Sequence, residues 1–198
     1  PWTWYSREKL LELNFPKANQ TILERLSWKH LIKINADLSV LDQLSDYEYL
    51  YWRIEDYAQI EQLDHLDESQ LAKLIVNRDL WQRMDIHQQK YVAAIHYRQD
   101  QLLALQAGQL PVAIRCIAAC HDAVSIQRAN QLGFDALLLS PVLETSTHSD
   151  AVPLGWEHFA ELAKMSDIPV YALGGVKPTD LETAKQHFAY GVAGISQF

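Results

Sequence analysis

The chain has 198 residues, 48% of them apolar, and carries 17 Lys and Arg against 25 Asp and Glu, a net charge of −8. That apolar share suffices for one sizeable core, while the absence of any Lys/Arg cluster removes the basic face that tracking a nucleic-acid backbone requires. No apolar run approaches the ~20 residues of a membrane-spanning helix, and no signal-peptide pattern opens the chain, so no membrane partner and a cytoplasmic location are expected.

Residues 1–27 read differently from the rest. Trp2, Trp4 and Tyr5 alternate like a strand, Ser6 to Leu11 has the pattern of a short helix, and Phe15-Pro16-Lys17-Ala18-Asn19 leads into helical spacing at Ile22, Leu23 and Leu26. Asn19 suits a cap for that helix, or Pro16 its first turn. The chain opens on Pro1 inside an aromatic-rich stretch, which suggests a start within a longer natural protein. The segment resembles the C-terminal end of a MutT-like Nudix hydrolase, where a Trp-rich strand precedes an F-P-x-A-N turn and a last helix. This resemblance implies a Nudix hydrolase domain upstream in the same natural chain. The Nudix box, whose glutamates hold the catalytic metal, is not among these residues, so no Nudix chemistry is expected here. An ordinary aromatic lead-in helix is the plainer alternative. The expected organisation is therefore a Nudix tail with linker helix over 1–27 and a separate domain over 28–198.

From Trp28 onward, short apolar runs alternate with helix-period stretches. The runs His30–Ile34, Tyr49–Arg53, Lys73–Val76, Tyr91–Ile95, Ala113–Ile117, Ala136–Leu139, Val170–Leu173 and Val192–Ile195 read as strands. Helical patterns lie between them, clearest at Gln99–Gln106, Ala123–Gln131, Trp156–Met165 and Thr179–His187, and shorter around Leu38–Leu44, Tyr57–Leu63 and Leu80–Met84. Near-continuous apolar strands separated by helices predict a parallel sheet covered by helices. Eight of them fit a closed (β/α)₈ TIM barrel, with the active site on loops after the strand C-termini. A doubly wound open sheet would want about six strands and a Gly-rich first turn, whereas His30–Asn35 runs into Ala36-Asp37-Leu38 without a glycine. The chain closes on Phe198 just after the eighth strand, with no eighth helix, so a helix around Asn19–Leu26 is expected to pack against the open flank. Cys116 and Cys120, a CxxxC pair without further ligands, read as reduced structural thiols.

The later strand ends carry the chemistry. Cys120-His121-Asp122 follows the fifth strand, Ser140-Pro141-Val142-Leu143-Glu144-Thr145-Ser146-Thr147-His148 the sixth, Gly174-Gly175 the seventh and Ser196 the eighth, while Pro153-Leu154-Gly155-Trp156 opens a helix. Two glycines let the backbone approach an anion and leave amides free to donate. Thr179-Asp180 offers a cap for the helix beyond, whose dipole favours an anion. Loops after the seventh and eighth strands are the usual phosphate site of this barrel. Glycines that serve only a turn are the plainer reading of the pair.

The succession C-H-D, S-P-V-x-x-T-x-T-H, P-L-G-W, A-L-G-G and G-I-S resembles thiamine phosphate synthase and its paralogue, the thiazole tautomerase, over roughly residues 30–198. In particular it resembles the divergent form fused behind a Nudix domain. The resemblance implies a transferase that joins a hydroxymethylpyrimidine diphosphate to a thiazole phosphate, with Mg²⁺ neutralising the departing diphosphate. It implies thiazole phosphate contacts from Thr145 and Thr147, and a cradle from Gly174, Gly175, Ile195 and Ser196.

The first half departs from that family pattern. Where the family has Q-x-R-x-K on strand two, this chain has Tyr51-Trp52-Arg53-Ile54-Glu55; where it has N-D-D after strand three, Asn77-Arg78-Asp79 stands, with Arg78 at the metal-ligand position. Asp100 and Gln101 fall near the second expected Asp ligand, and His148 replaces the Lys after T-x-T. A guanidinium in place of an oxygen ligand repels Mg²⁺, so no metal site is assigned. Arg53, Asn77, Arg78 and Tyr51 remain candidate substrate contacts, Arg78 by direct binding of phosphate and Tyr51 or Trp52 by stacking on a heterocycle, with core filling as the alternative for the aromatics. His121 is the candidate acid/base of a tautomerase, with His148 on the neighbouring loop; capping or orienting the next helix is its structural alternative. His96 is read as structural, and Asp135 and Asp150 as solvated loop carboxylates. Three functions compete: a synthase, a tautomerase, and a non-catalytic sensor of a phosphorylated heterocycle for the attached hydrolase. A homodimer and a monomer are both compatible with the sequence.

Overall fold

A computed structural model of the chain describes residues 3, 5, 7–19, 23, 27–145, 152–195 and 198. Eight parallel strands close on themselves: β1 (Leu31–Asn35), β2 (Glu48–Trp52), β3 (Leu74–Asn77), β4 (Ala94–Tyr97), β5 (Cys116–Cys120), β6 (Ala136–Leu139), β7 (Val170–Leu173) and β8 (Gly191–Gly194). β8 returns to β1 in the register Leu31↔Val192. The expected (β/α)₈ TIM barrel is the fold observed.

Alternation along each strand sorts side chains between two environments. Ile32, Ile34, Tyr49, Tyr51, Ile75, Ala94, Ile117, Ala136, Leu138, Tyr171 and Ala193 fill the barrel. Residues of opposite parity, such as Leu50, Trp52, Val76, Ala118, Leu137 and Val192, pack outward against helices. Large and small residues interdigitate inside. The Tyr171 ring fits because the neighbouring strand has Gly191, where a Cβ would come within 2.7 Å of that ring and 2.2 Å of the His30 carbonyl.

Trp28 closes the N-terminal end of the barrel. Its ring meets Tyr49 and Tyr171 edge-on at 5.9 and 6.2 Å, and the Arg115 guanidinium lies 4.6 Å over it. Tyr190 and Tyr171 donate hydroxyl protons to the carbonyls of Trp28 and Lys29.

β4 and β5 begin three residues later than their apolar runs suggest. Tyr91 donates its amide to Gln88 at the end of a 3₁₀ turn, and Val112 and Ala113 are exposed. Pairing of Ile117 with Ala136 and of Ile95 with Cys116 fixes where the strands lie; an apolar run carries no such cross-strand information.

The first crossover is 3₁₀ over Leu38–Gln43, and the second is 3₁₀ over Tyr57–His65 followed by one α-helical turn at Glu68–Leu71. Asp37 and Asp56 each accept the amide two residues on, at 2.9 Å, which starts a tight turn. In the second half the crossovers are α-helical at Ala123–Leu132, Gly155–Ala163 and Leu181–Gln186. Asn19 ends a 3₁₀ turn over Lys17–Asn19; of the helix expected on to Leu26 only Leu23 is described, and Trp2, Trp4 and Asp150 lie outside the described residues.

Asp135 is more than a solvated carboxylate. It accepts the Cys116 amide at 2.7 Å and so ties the start of β5 to β6. Cys116 and Cys120 are both buried on β5, and burial pushes each thiol up to about 12.

Candidate active site at the C-terminal rim

Three strand ends form the first sector. Tyr51 on β2 and His96 on β4 both face the barrel interior, with Tyr51 Oη 2.9 Å from His96 Nδ1. Burial, then the charges of Arg53 and Arg98, push the imidazole down to about 3, so His96 is neutral at physiological pH. The same burial raises the Tyr51 phenol well above its ordinary range. Trp52 points the other way, fully buried, with its indole N–H donating to Ala36 O at 2.8 Å; it is a core filler.

Asn77 ends β3 and caps the helix Arg78–Trp81. Its Oδ1 accepts the Leu80 amide at 2.8 Å and the Tyr57 hydroxyl at 3.3 Å. Asp79 is enclosed by donors: Oδ1 accepts from Arg78 Nε at 3.2 Å and Gln101 Nε2 at 3.1 Å, and Oδ2 from Arg98 Nη1 at 3.2 Å and the same amide at 3.1 Å. Asp100 receives Nε and Nη2 of Arg98 at 3.1 and 3.2 Å. Asp79 and Arg98 were not among the sequence-derived candidates, and His96 was read as structural. Arg98 was detectable as a charge placed directly after an apolar strand; the roles of Asp79 and His96 show only when β3 and β4 are paired.

These residues do not fit the Mg²⁺ that the family resemblance implies. Magnesium takes oxygen ligands in a near-octahedral shell at about 2.0–2.1 Å. Both Asp79 oxygens are already taken by N–H donors, and a guanidinium occupies the expected ligand position. Among the described residues no group of three His, Cys, Asp or Glu side chains could hold a metal ion.

The second sector joins β5 and β6. His121 is exposed, and its Nδ1 donates to the Ser140 carbonyl at 2.7 Å. A carbonyl only accepts, so Nδ1 carries a proton, and in the neutral ring Nε2 is then the nitrogen that bears the lone pair. Asp122, not His121, caps the next helix: its Oδ1 accepts the Ser125 amide at 2.7 Å. The capping alternative for His121 is thereby excluded, and the ring is oriented by the β6 loop instead. His148 lies outside the described residues.

The third sector spans the ends of β6, β7 and β8. Gly174 and Gly175 have φ of +96° and +71°, a region glycine enters without strain. They also lie under the β6 loop. A Cβ at Gly174 would sit 2.8 Å from Pro141 Cβ, and one at Gly175 2.5 Å from Glu144 O. The Val142 and Leu143 amides donate to Leu173 and Gly174 at 2.9 Å, which zips that loop along the end of β7. Among the described residues the amides of Gly174 and Gly175 make no backbone hydrogen bond. Pairing of β7 with β8 ends at Leu173↔Ala193, so Gly174 and Gly175 follow the last residue of β7 and Ile195 follows the last residue of β8. Thr145 follows on the same loop; Thr147 and Ser196 lie outside the described residues. Asp180 does not cap a long helix: its carboxylate accepts the Lys177 amide at 2.8 Å, closing a 3₁₀ turn over Pro178–Asp180 before Leu181–Gln186.

No described helix is long and apolar enough to cross a membrane.

The family model described as thiamine monophosphate synthase matches residues 53–198. A thiamine-phosphate synthase of Prochlorococcus marinus (strain AS9601) is 31% identical over 140 residues, covering 68% of this chain and 40% of that protein. The thiamine-phosphate synthase of Synechococcus sp. (strain WH7803) is 28% identical over 145 residues, 73% of this chain and 39% of its own. The chain thus spans about two fifths of the length of these relatives. Among solved structures, thiamine phosphate pyrophosphorylase from Pyrococcus furiosus superposes with a TM-score of 0.60 at 14% identity, covering 88% of both chains; at that identity the likeness concerns the fold.

Proposed function

The chain belongs to the thiamine monophosphate synthase family, and from that premise we propose that it binds a thiazole phosphate, or a similar phosphorylated heterocycle, in thiamine biosynthesis or salvage. The phosphate rests on the backbone amides of Gly174, Gly175 and Ile195 with the Thr145 side chain, joined by Thr147 and Ser196. The observation that carries this reading is the glycine pair: two positive-φ residues whose amides have no backbone partner among the described residues, at the rim position where barrels of this kind hold phosphate. Residues 28–198 form the barrel domain; residues 1–27 are its lead-in, read as the tail of a Nudix hydrolase domain preceding it.

Titration of a thiazole monophosphate against its dephosphorylated form tests the reading. Loss of affinity by about ten-fold or more on removing the phosphate is expected, equivalent to about 1.4 kcal/mol. Equal affinity for the two forms overturns it.

A second reading has a specific observation in its favour. With Nδ1 held by Ser140 O, Nε2 is the nitrogen of a neutral His121 ring that takes a proton from a heterocycle ring and returns it elsewhere on that ring. Such a tautomerisation needs no metal. Ring proton exchange that persists in His121→Ala removes this reading. Formation of thiamine phosphate from the pyrimidine diphosphate and thiazole phosphate, assayed with Mg²⁺ and with chelator, distinguishes a synthase from either a tautomerase or a binding domain that senses the ligand for an attached hydrolase.

A further inference from the structure

Three guanidinium groups gather over one sector of the rim. Arg53 follows β2, Arg78 follows β3 and Arg98 follows β4. Asp79 and Asp100 are their only acidic contacts among the described residues, so three positive charges face two negative ones. Each guanidinium has five N–H donors. Arg98 commits three, to Asp79 and Asp100, while Arg78 turns one edge to Asp79. The Arg53 guanidinium makes no hydrogen bond or ion pair with another described residue. Beneath them lies a polar floor, the Tyr51–His96 pair, which feels the charges of both Arg53 and Arg98.

We propose that this sector takes a phosphate-type anion directly on Arg53, Arg78 and Arg98, with no divalent cation between ligand and protein. A cation reaching Asp79 would have to strip donors from both carboxylate oxygens and then sit beside two fixed positive charges. An anion meets the opposite situation. Planar guanidinium forks match pairs of phosphate oxygens, and delocalised positive charge stands where a metal would otherwise neutralise the ligand. Gln101 completes the arrangement: its amide donates to both oxygens of Asp79 and holds the carboxylate as the brace between Arg78 and Arg98. The proposal deepens the reading of the chain as a binder of phosphorylated heterocycles and rests on it for the ligand class, but it concerns a sector separate from the glycine pair.

The test is calorimetric titration of inorganic pyrophosphate into the full chain at constant ionic strength, in EDTA and in millimolar Mg²⁺. Affinity in EDTA equal to or greater than that with Mg²⁺ is expected. Arg78→Ala and Arg98→Ala should each weaken it about ten-fold or more, with Lys185→Ala, on a remote helix, without effect. Titration with MgCl₂ alone should give no binding at this sector, and Arg78→Asp should make pyrophosphate binding depend on Mg²⁺. Far-ultraviolet circular dichroism on each variant separates misfolding from loss of the site, and Arg78→Lys, which keeps the charge but not the fork, should retain part of the affinity. Pyrophosphate binding that requires Mg²⁺ in the unmodified chain, no binding in either buffer, or indifference to both arginine substitutions overturns the proposal. Thr145→Val should weaken a thiazole monophosphate while leaving pyrophosphate in EDTA unchanged, so failure of the glycine-pair reading shows in a different titration.

Discussion

Tyr51 and His96 touch across the inside of the barrel, Oη to Nδ1 at 2.9 Å, although β3 separates their strands in the sheet. Their rings lie 4.7 Å apart between centroids. The contact bridges the sector beneath the three arginines, and its chemistry makes stability depend on pH. His96 has a folded pKa of about 3 against about 6.5 when unfolded. Between those values the unfolded chain binds a proton that the native chain does not. Stability from this group is therefore fully present above about pH 6.5 and falls as the pH drops toward 3, at up to about 1.4 kcal/mol per pH unit. Denaturant midpoints at pH 7 and pH 5 should differ in that direction, and His96→Gln should flatten the slope. Tyr51→Phe should cost about 1–2 kcal/mol at pH 7 by leaving the buried nitrogen without its partner.

Gly175 and Gly133 share a positive φ, +71° and +78°, but not an environment. A Cβ at Gly133 meets nothing within 4 Å, whereas one at Gly175 lies 2.5 Å from a backbone oxygen of the β6 loop. Gly133→Ala should cost only the left-handed penalty of about 1–2 kcal/mol and leave ligand affinity intact. Gly175→Ala should cost more and also displace the loop bearing Thr145. Thermal midpoints and thiazole monophosphate titrations on both variants measure this; equal behaviour of the two would refute the close-approach argument.

The thiols of Cys116 and Cys120 should be inert in the folded chain. Both are buried, and burial holds each pKa at about 12, so almost no thiolate exists at pH 8. A thiol-reactive chromophore should titrate neither until denaturant is added, and then both. Rapid reaction in native buffer would contradict the burial.

Arg115 is a structural cation. It stacks on Trp28 and donates to Ala93 O at 3.2 Å, Ser27 Oγ at 3.1 Å and Tyr49 Oη at 3.2 Å. Arg115→Met should lower stability by on the order of 2 kcal/mol without changing affinity at the opposite end of the barrel. Urea denaturation and pyrophosphate titration on that variant provide the check.

The eight-strand parallel barrel was legible from the alternation of apolar runs with helix-period stretches, because burial on both faces leaves strands apolar throughout. Gly174-Gly175 and His121 were likewise visible as polar or flexible residues placed directly after strands. Strand boundaries at β4 and β5 were not, since the apolar runs at Tyr91 and Ala113 start in loops and only pairing with neighbouring strands settles the register. The identity of the caps was missed for a related reason: Asp122 and His121 are adjacent in sequence, and geometry alone decides which of them turns to the helix. Composition and order of residues thus determined the architecture and the rim on which chemistry occurs. Tertiary structure alone decided that Arg78, Arg98, Asp79 and Gln101, drawn from two separate strand ends, form one charge network, because parallel pairing of β3 with β4 brings together side chains about 20 residues apart.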